Sequence, residues 1–86
     1  MGKKYVYFYF MKENPEKIAQ TVPHHVNFWK ESNVNDYMGG PFSDRSEGLI
    51  TFKANNIDEA TEVVNKDPFV IENLLSEKWI KEWLAD

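Results

Sequence analysis

The sequence lacks cysteine, a cluster of basic residues and any apolar run of transmembrane length. The absence of cysteine excludes disulfides, thiolate catalysis and cysteine-ligated metals. The N-terminal segment carries no small-residue cleavage site of a signal peptide. A net charge of −4, with the lysines scattered along the chain, argues against nucleic-acid binding. We therefore expect a soluble, cytoplasmic protein that binds neither membranes nor nucleic acids.

Aromatic residues, in contrast, are abundant. They make up 15% of a chain of only 86 residues, which predicts one small domain spanning residues 1–86. A domain of this size buries a limited share of its surface, so its stability as a monomer would be modest. The high aromatic content therefore favours a buried interface between two copies of the chain.

Four segments read as strands. The first, Lys4–Met11, is aromatic or β-branched at nearly every position. Alternation along it divides the side chains into two sets, one with Val6, Phe8 and Phe10 and the other with Tyr5, Tyr7 and Tyr9. The remaining predicted strands are Asp36–Gly40, Gly48–Ala54 and Glu77–Leu84.

Helix signals lie between these strands. Asn14-Pro15-Glu16 is a helix start, followed by an apolar stripe at Ile18, Val22, Val26 and Trp29. Because Pro23 interrupts this stripe, we expect the principal helix to run from Pro23 to about Ser32; a longer, kinked helix is the alternative. A second helix is predicted at Ile57–Asn65, and Asp67 is positioned to cap a short helical turn.

The resulting order, β-α-β-β-α-β, predicts an α+β fold of the ferredoxin-like type. Such a fold has a four-stranded antiparallel sheet with two helices on one face. The opposite face is expected to lack cover within the chain and to carry Tyr5, Tyr7, Tyr9, Leu49, Thr51, Trp79 and Trp83. An exposed aromatic face usually marks an interface, so the sequence predicts a homodimer that packs face to face through it. A ligand cage is the alternative use of these aromatics.

Several short motifs follow one another along the chain. They are the aromatic strand YVYFYF, Pro23-x-His25 with Phe28 and Trp29, Gly40-Pro41-Phe42 with Asp44 and Gly48, Ile-Asp-Glu-Ala at 57–60, Asp67-Pro68-Phe69-Val70, and Trp83. In this order they resemble the YciI-like (YCII-related) proteins of the dimeric α+β barrel superfamily. The resemblance implies a homodimer with a cleft that contains a histidine and an aspartate, and it implies no agreed reaction. Val22 stands where that family often has arginine, which weakens an anion-binding role.

His25 is the first candidate catalytic residue, because imidazole titrates near neutral pH and the residue lies close to the predicted apolar stripe. A structural histidine, hydrogen-bonded between helix and sheet, is the alternative. His24 is one helical step away and is expected to be more exposed, with a possible substrate contact. Adjacent histidines point in different directions on a helix and no third ligand is evident, so we predict no metal site.

Asp44 is the second candidate catalytic residue, because a carboxylate against His25 would fix its tautomer. The alternative is a turn aspartate that bonds its own backbone. Further candidate substrate-binding residues are Asp36, Gly40, Pro41, Phe42 and Asp67. Of these, Asp36 is also a possible partner of His25, and Asp67 is more readily explained as a helix cap.

Three functions remain open at this point. The first is a small-molecule enzyme, isomerase- or lyase-like, in which His25 moves a proton while Asp44 or Asp36 orients it. No cofactor is predicted, because no dinucleotide or phosphate fingerprint is present. The second is a dimeric module that binds a small ligand without turnover, and the third is a purely structural dimer.

Overall fold

The computed structural model describes residues 2–85, so both end positions of the predicted domain, 1 and 86, lie outside the described residues. Its strands are β1 (Lys3–Met11), β2 (Asn35–Pro41), β3 (Glu47–Ala54) and β4 (Leu75–Glu82). Its helices are α1 (Pro15–Glu31), α2 (Ile57–Val64) and the single turn α3 (Pro68–Ile71). The predicted strand and helix order is confirmed, with boundaries within about two residues everywhere except in α1.

The four strands form one antiparallel sheet in the order β2-β3-β1-β4. The central strand β1 pairs Tyr7 with Ile50 of β3 on one side and with Ile80 of β4 on the other. This is the ferredoxin-like topology predicted from the sequence. It leaves β2 and β4 as the edges, with the aromatic strand β1 inside.

The helices cover the tyrosine face of β1, which reverses the predicted assignment of its two faces. Tyr5, Tyr7 and Tyr9 are at most 2% exposed and pack with Ile50 and Phe52 of β3. The predicted inward side chains of β3 are therefore correct, but those of β1 are not. Alternation in β1 is aromatic on both faces, so hydrophobicity alone does not identify the covered one.

The other face of the sheet has no cover within residues 2–85. We call it the open face. It carries the β1 side chains that alternate with the tyrosines, together with the β3 and β4 residues that pair with those side chains. Trp79 and Trp83 are each 49% exposed there, while Val6, Phe8 and Phe10 are half-buried. Phe8 packs against Phe10, Phe42 and Trp79, at ring centroid distances of 5.0 to 6.0 Å. The strand members of the open face are Val6, Phe8, Phe10, Glu47, Leu49, Thr51, Glu77, Trp79 and Lys81, and Phe42 and Trp83 adjoin them.

Helix α1 is continuous through Pro23, so the prediction of a principal helix beginning there is wrong. A proline in a helix removes one hydrogen bond to the carbonyl four residues earlier. That carbonyl belongs to Ala19, and Ala19 and Pro23 are both exposed, so water can satisfy the freed oxygen. The helix starts at Pro15, where the Asn14 side chain accepts from the backbone N–H of Lys17.

The buried side of α1 agrees with the predicted stripe only at Ile18 and Trp29, which pack on the core. Thr21, His25 and Trp29 are buried, whereas Val22 and Val26 are each 37% exposed. Thr21 satisfies its hydroxyl by donating to the carbonyl of Lys17 at 2.8 Å. The helix therefore presents a partly polar face to the sheet, and His25 lies in the middle of it.

Candidate functional site

The site is organised around the carboxylate of Asp67, which is completely buried. Asp67 precedes α3 in extended conformation, and its Oδ1 accepts from the backbone N–H of Phe69 at 2.9 Å. This is the cap expected for an aspartate before proline, because Pro68 fixes the first helical φ. The same cap holds the carboxylate between α1 and the sheet.

Three side chains from two other elements also donate to Asp67. The Tyr7 hydroxyl of β1 lies 3.0 Å from Oδ2 and the Trp29 indole Nε1 of α1 lies 3.2 Å from it. His25 Nδ1, also on α1, lies 2.7 Å from Oδ1. With the Phe69 amide, four donors surround two oxygens, which matches the acceptor capacity of an ionised carboxylate. Asp67 thus joins β1, α1 and α3 in one network.

Asp67 sets the orientation of His25. A carboxylate accepts hydrogen bonds, so Nδ1 carries the proton in this contact and Nε2 of the neutral ring is left as an acceptor. The imidazole also stacks on Phe69, with ring centroids 3.9 Å apart and planes 11° apart, and meets the edge of Tyr9 at 6.0 Å. Both the tautomer and the plane of the ring are therefore fixed by neighbours.

The second nitrogen of His25 reaches the surface. Among residues 2–85 the side chain hydrogen-bonds through Nδ1, and no buried side-chain nitrogen or oxygen there lacks a partner. The side chain keeps 9% of its surface exposed. The imidazole is consequently anchored at one nitrogen by a buried carboxylate and accessible at the other, which is the arrangement of a general base.

Burial and the neighbouring carboxylate keep the surrounding tyrosines neutral. Desolvation, and then the charge of Asp67, raise the pKa of Tyr7 far above its usual value. The same two causes raise the pKa of Tyr9 to about 12, and they raise that of Tyr37 as well. These phenols therefore keep their protons across the physiological pH range, and that of Tyr7 donates to Asp67. Tyr37 also stacks on Trp29, at 5.8 Å between centroids, and remains partly exposed.

The two carboxylates predicted to orient His25 lie elsewhere. Asp44 is exposed and accepts from the backbone N–H and the hydroxyl of Ser46, at 3.1 and 2.9 Å, and these bonds lower its pKa. Asp36 forms a surface ion pair with Lys4 at 2.7 Å, which lowers its pKa. Lys4 lies toward the opposite end of β1 from Tyr9. Asp44 is thus the turn aspartate of the alternative interpretation, and the contact with His25 is made by Asp67.

The remaining predicted site residues divide between surface and core. His24 is exposed, as expected, and Gly40 and Pro41 are exposed in the edge strand β2. Phe42 packs on Phe8 and belongs to the open face. Asp67, predicted both as a cap and as a substrate contact, caps α3 and is completely buried. Their predicted contacts with substrate stay predictions.

Sequence reasoning missed Tyr7 and Trp29 as partners of the site. Both were interpreted only as apolar, although the phenol and the indole each carry a donor that needs a partner when buried. The available signal was Asp67 itself, an acidic residue directly before Pro-Phe. Its coupling to His25, 42 residues away, depends on the packing of α1 against α3 and has no local pattern.

Within residues 2–85, no cluster of three or more His, Asp or Glu side chains is arranged to hold a metal ion. In the same residues, no helix is long and apolar enough to cross a membrane.

Three similarities to known proteins bear on this arrangement. The model of the YCII-related domain matches residues 4–84. An uncharacterized Bacillus subtilis (strain 168) protein, YjpA, is 44% identical over 46 residues, which cover 54% of this chain and 53% of YjpA. The match therefore spans about half the length of that relative.

The fold is also similar to that of a solved enzyme structure. This is 5-chloro-2-hydroxyhydroquinone dehydrochlorinase (TftG) from Burkholderia phenoliruptrix AC1100, in complex with 2,5-dihydroxybenzoquinone. The TM-score is 0.83, with 96% of this chain and 95% of that chain covered. At 15% identity the likeness establishes the shared fold.

Proposed function

The chain belongs to the YCII-related domain family, and from this premise we propose that it is a small-molecule enzyme in which His25 performs acid–base chemistry. The observation that carries the proposal is the 2.7 Å contact between His25 Nδ1 and the buried Asp67, with Nε2 left accessible. The family and the enzymatic fold neighbour support a small-molecule role, and the geometry supports proton transfer.

The proposed reaction is the removal and return of a proton next to a carbonyl group. Nε2 of His25 takes the proton from carbon, and the electron pair of the broken C–H bond forms an enolate. The imidazolium so formed is stabilised by Asp67, and it then returns the proton to the same or another carbon of the enolate. Atoms and charges balance without an oxidant, a reductant or a metal. Asp67 is a positioning residue here, because it acts through His25.

Solvent-exchange NMR tests this proposal. The protein is incubated in deuterated buffer with enolisable cyclic carbonyl compounds and with 2,5-dihydroxybenzoquinone, the ligand of the fold neighbour. We expect catalysed deuterium exchange or isomerisation that falls at least ~100-fold in His25→Gln. His24→Gln is the matched control and should retain the activity, because His24 is exposed and outside the Asp67 network. Equal rates in His25→Gln and the unchanged protein would refute the acid–base role.

The competing function is ligand binding without turnover. It is favoured by the enclosure of His25, whose side chain is stacked on Phe69 and only 9% exposed. A histidine held in this way also suits a fixed hydrogen bond to a ligand. Saturable binding that persists in His25→Gln, with no exchange for any compound, would support this alternative.

The proposed functional unit is a homodimer that buries the open face of two sheets against each other. The open face is largely aromatic and apolar. Its concavity of about 390 Å³ is lined by Val6, Phe8, Leu49, Trp79 and Trp83 together with the charged Lys81 and Glu82. A small domain that leaves such a surface in water is poorly stabilised, and a two-fold axis lets the same patch serve both copies. The dimeric α+β barrel superfamily, to which the family belongs, is named for this arrangement. The open face therefore contributes stability, while His25 and Asp67 lie on the helix-covered side.

A further inference from the structure

The Tyr9 hydroxyl is a second polar group that reaches the surface beside His25. Tyr9 is 2% exposed, and its hydroxyl makes no hydrogen bond within residues 2–85. Since no buried side-chain oxygen there lacks a partner, that remaining exposure belongs at least in part to the hydroxyl. The hydroxyl of Tyr7, two residues earlier on the same face, donates a hydrogen bond to Asp67. The hydroxyl of Tyr7 is therefore occupied inside the protein, whereas that of Tyr9 is available to an external partner.

The ring of Tyr9 is held in place on several sides. It packs against Tyr7 at 5.1 Å, Phe69 at 5.9 Å and His25 at 6.0 Å between ring centroids. A residue fixed in this way cannot easily turn its hydroxyl toward a new internal partner. The ring that carries this donor is thus fixed beside the imidazole of His25.

Gly48 makes room for that hydroxyl. It is the partner of Tyr9 in the β1–β3 ladder, and a Cβ built on it would overlap the Cζ and the hydroxyl oxygen of Tyr9. Gly48 has a negative φ, so its backbone does not require glycine. The requirement comes from the phenol, whose end lies directly over the glycine.

We infer that Tyr9 is a second ligand-binding residue, which donates a hydrogen bond to the carbonyl oxygen of a small enolisable compound while His25 Nε2 faces its acidic proton. The centroids of the two rings are 6.0 Å apart, a separation comparable to the size of one ring-shaped molecule. A neutral phenol beside an accepting imidazole selects a substrate that carries an acceptor oxygen next to a removable proton. The class that fits is the enolisable carbonyl compounds, in which these two features are adjacent.

This inference rests on the proposed acid–base function, and it assigns the group that stabilises the charge formed. As His25 takes the proton, negative charge develops on the carbonyl oxygen, and the hydrogen bond from Tyr9 strengthens with it. The phenol keeps its own proton throughout. Such a contact lowers the barrier to reaction more than it tightens binding of the ground state.

Tyr9→Phe and its matched control Tyr5→Phe test the inference, with cyclohexane-1,2-dione as the probe in deuterium-exchange NMR. Tyr5 lies on the same strand and the same buried face, about 13 Å from Tyr9. Loss of one donor to a developing oxyanion typically lowers kcat about 100-fold. We expect that loss in Tyr9→Phe, with KM changed only a few-fold, and unchanged kinetics in Tyr5→Phe. A purely structural role would instead reduce the folded fraction without this split between kcat and KM.

The outcomes separate this inference from the proposed function. Exchange that requires His25 but is equal in Tyr9→Phe and Tyr5→Phe overturns the role of Tyr9 alone. If the probe binds without exchange, Tyr9→Phe should still weaken its binding in a protein-observed NMR titration, and equal affinity would overturn the inference. Absence of both binding and exchange would overturn the inference together with the proposed carbonyl chemistry.

Discussion

The two faces of the sheet use aromatic residues in opposite ways. On the helix-covered face the tyrosines of β1 are at most 2% exposed, whereas on the open face Trp79 and Trp83 are each 49% exposed. In β1 the tyrosines thus face the helices and the phenylalanines face the open side. This order makes sense if the covered face needs the hydroxyl groups for its polar network and the open face is buried by a second copy.

Disrupting the hydrogen bonds to Asp67 is the strongest test of the difference between the covered face and the open face. Asp67→Asn keeps the shape of the side chain but turns an acceptor oxygen into an amide donor that faces other donors. We expect a loss of about 2–3 kcal/mol in the free energy of unfolding, measured by urea titration. Asp44→Asn is the control, since Asp44 is exposed and bonds only within its turn, and it should change stability by no more than about 0.5 kcal/mol. Equal losses of unfolding free energy in the two variants would contradict a stabilising role of the Asp67 network.

Breaking the open face should affect assembly. Phe8→Glu places a charge in the middle of that face and should weaken the dimer about 100-fold, as measured by sedimentation velocity over a range of concentrations, because the carboxylate would be desolvated. Val26→Glu, on the outer side of α1 and 37% exposed, should leave the sedimentation coefficient unchanged. A monomer at micromolar concentration in the unchanged protein would contradict the proposed dimer.

Gly48 offers a finer test of packing on the covered face. Gly48→Ala forces the fixed ring of Tyr9 to move, and we expect it to cost about 1–2 kcal/mol of stability. At Gly40 an added Cβ meets nothing within 4 Å, so Gly40→Ala should have little effect on stability. Thermal unfolding of the two variants under one condition measures the difference. The prediction fails if both substitutions lower the midpoint equally.

The smallest expected effect is the response of the covered face to alkali. The pKa of Tyr9 is raised from 10.0 to about 12 in the folded protein, so the folded state holds its proton more tightly than the unfolded state. Its contribution to stability is therefore complete below pH 10 and is lost as the pH rises toward 12. By pH 11 the loss from Tyr9 should be about 1 kcal/mol. In Tyr9→Phe the decline between pH 9 and pH 11 should be shallower by that amount; an identical slope would contradict the raised pKa.

The fold followed from local patterns, because strand alternation, the Asn14-Pro15 helix start and the turn residues act within a few positions. The choice of the covered face did not, since both faces of β1 are aromatic. The register that pairs the tyrosines with the buried Ile50 and Phe52 of β3 and the hydrogen bond from Tyr7 to Asp67 distinguish them, and both are tertiary features. The inward face of α1 was predicted only in part, at Ile18 and Trp29, for a related reason. Thr21 and His25 look unfavourable for burial until their partners, the Lys17 carbonyl and Asp67, are known.

The site was half predictable. His25 could be identified from the sequence as the candidate histidine, while its carboxylate partner could not. Asp44 was chosen because it follows the Gly-Pro corner, yet it bonds to Ser46 in its own turn. Asp67 appeared to be occupied by capping. A carboxylate has enough acceptor sites to cap a helix and hold a histidine together, and this double use is what the sequence alone did not indicate.

The central claim is that Asp67 fixes His25 with its proton on Nδ1 and leaves Nε2 as the free acceptor. Long-range ¹⁵N–¹H correlation NMR of the imidazole rings, under slightly alkaline conditions, measures this directly, and the exposed His24 provides an internal reference. The account predicts a protonated Nδ1 and an unprotonated Nε2 for His25, and loss of this preference in Asp67→Asn. A His25 ring that carries its proton on Nε2 in the unchanged protein would contradict it.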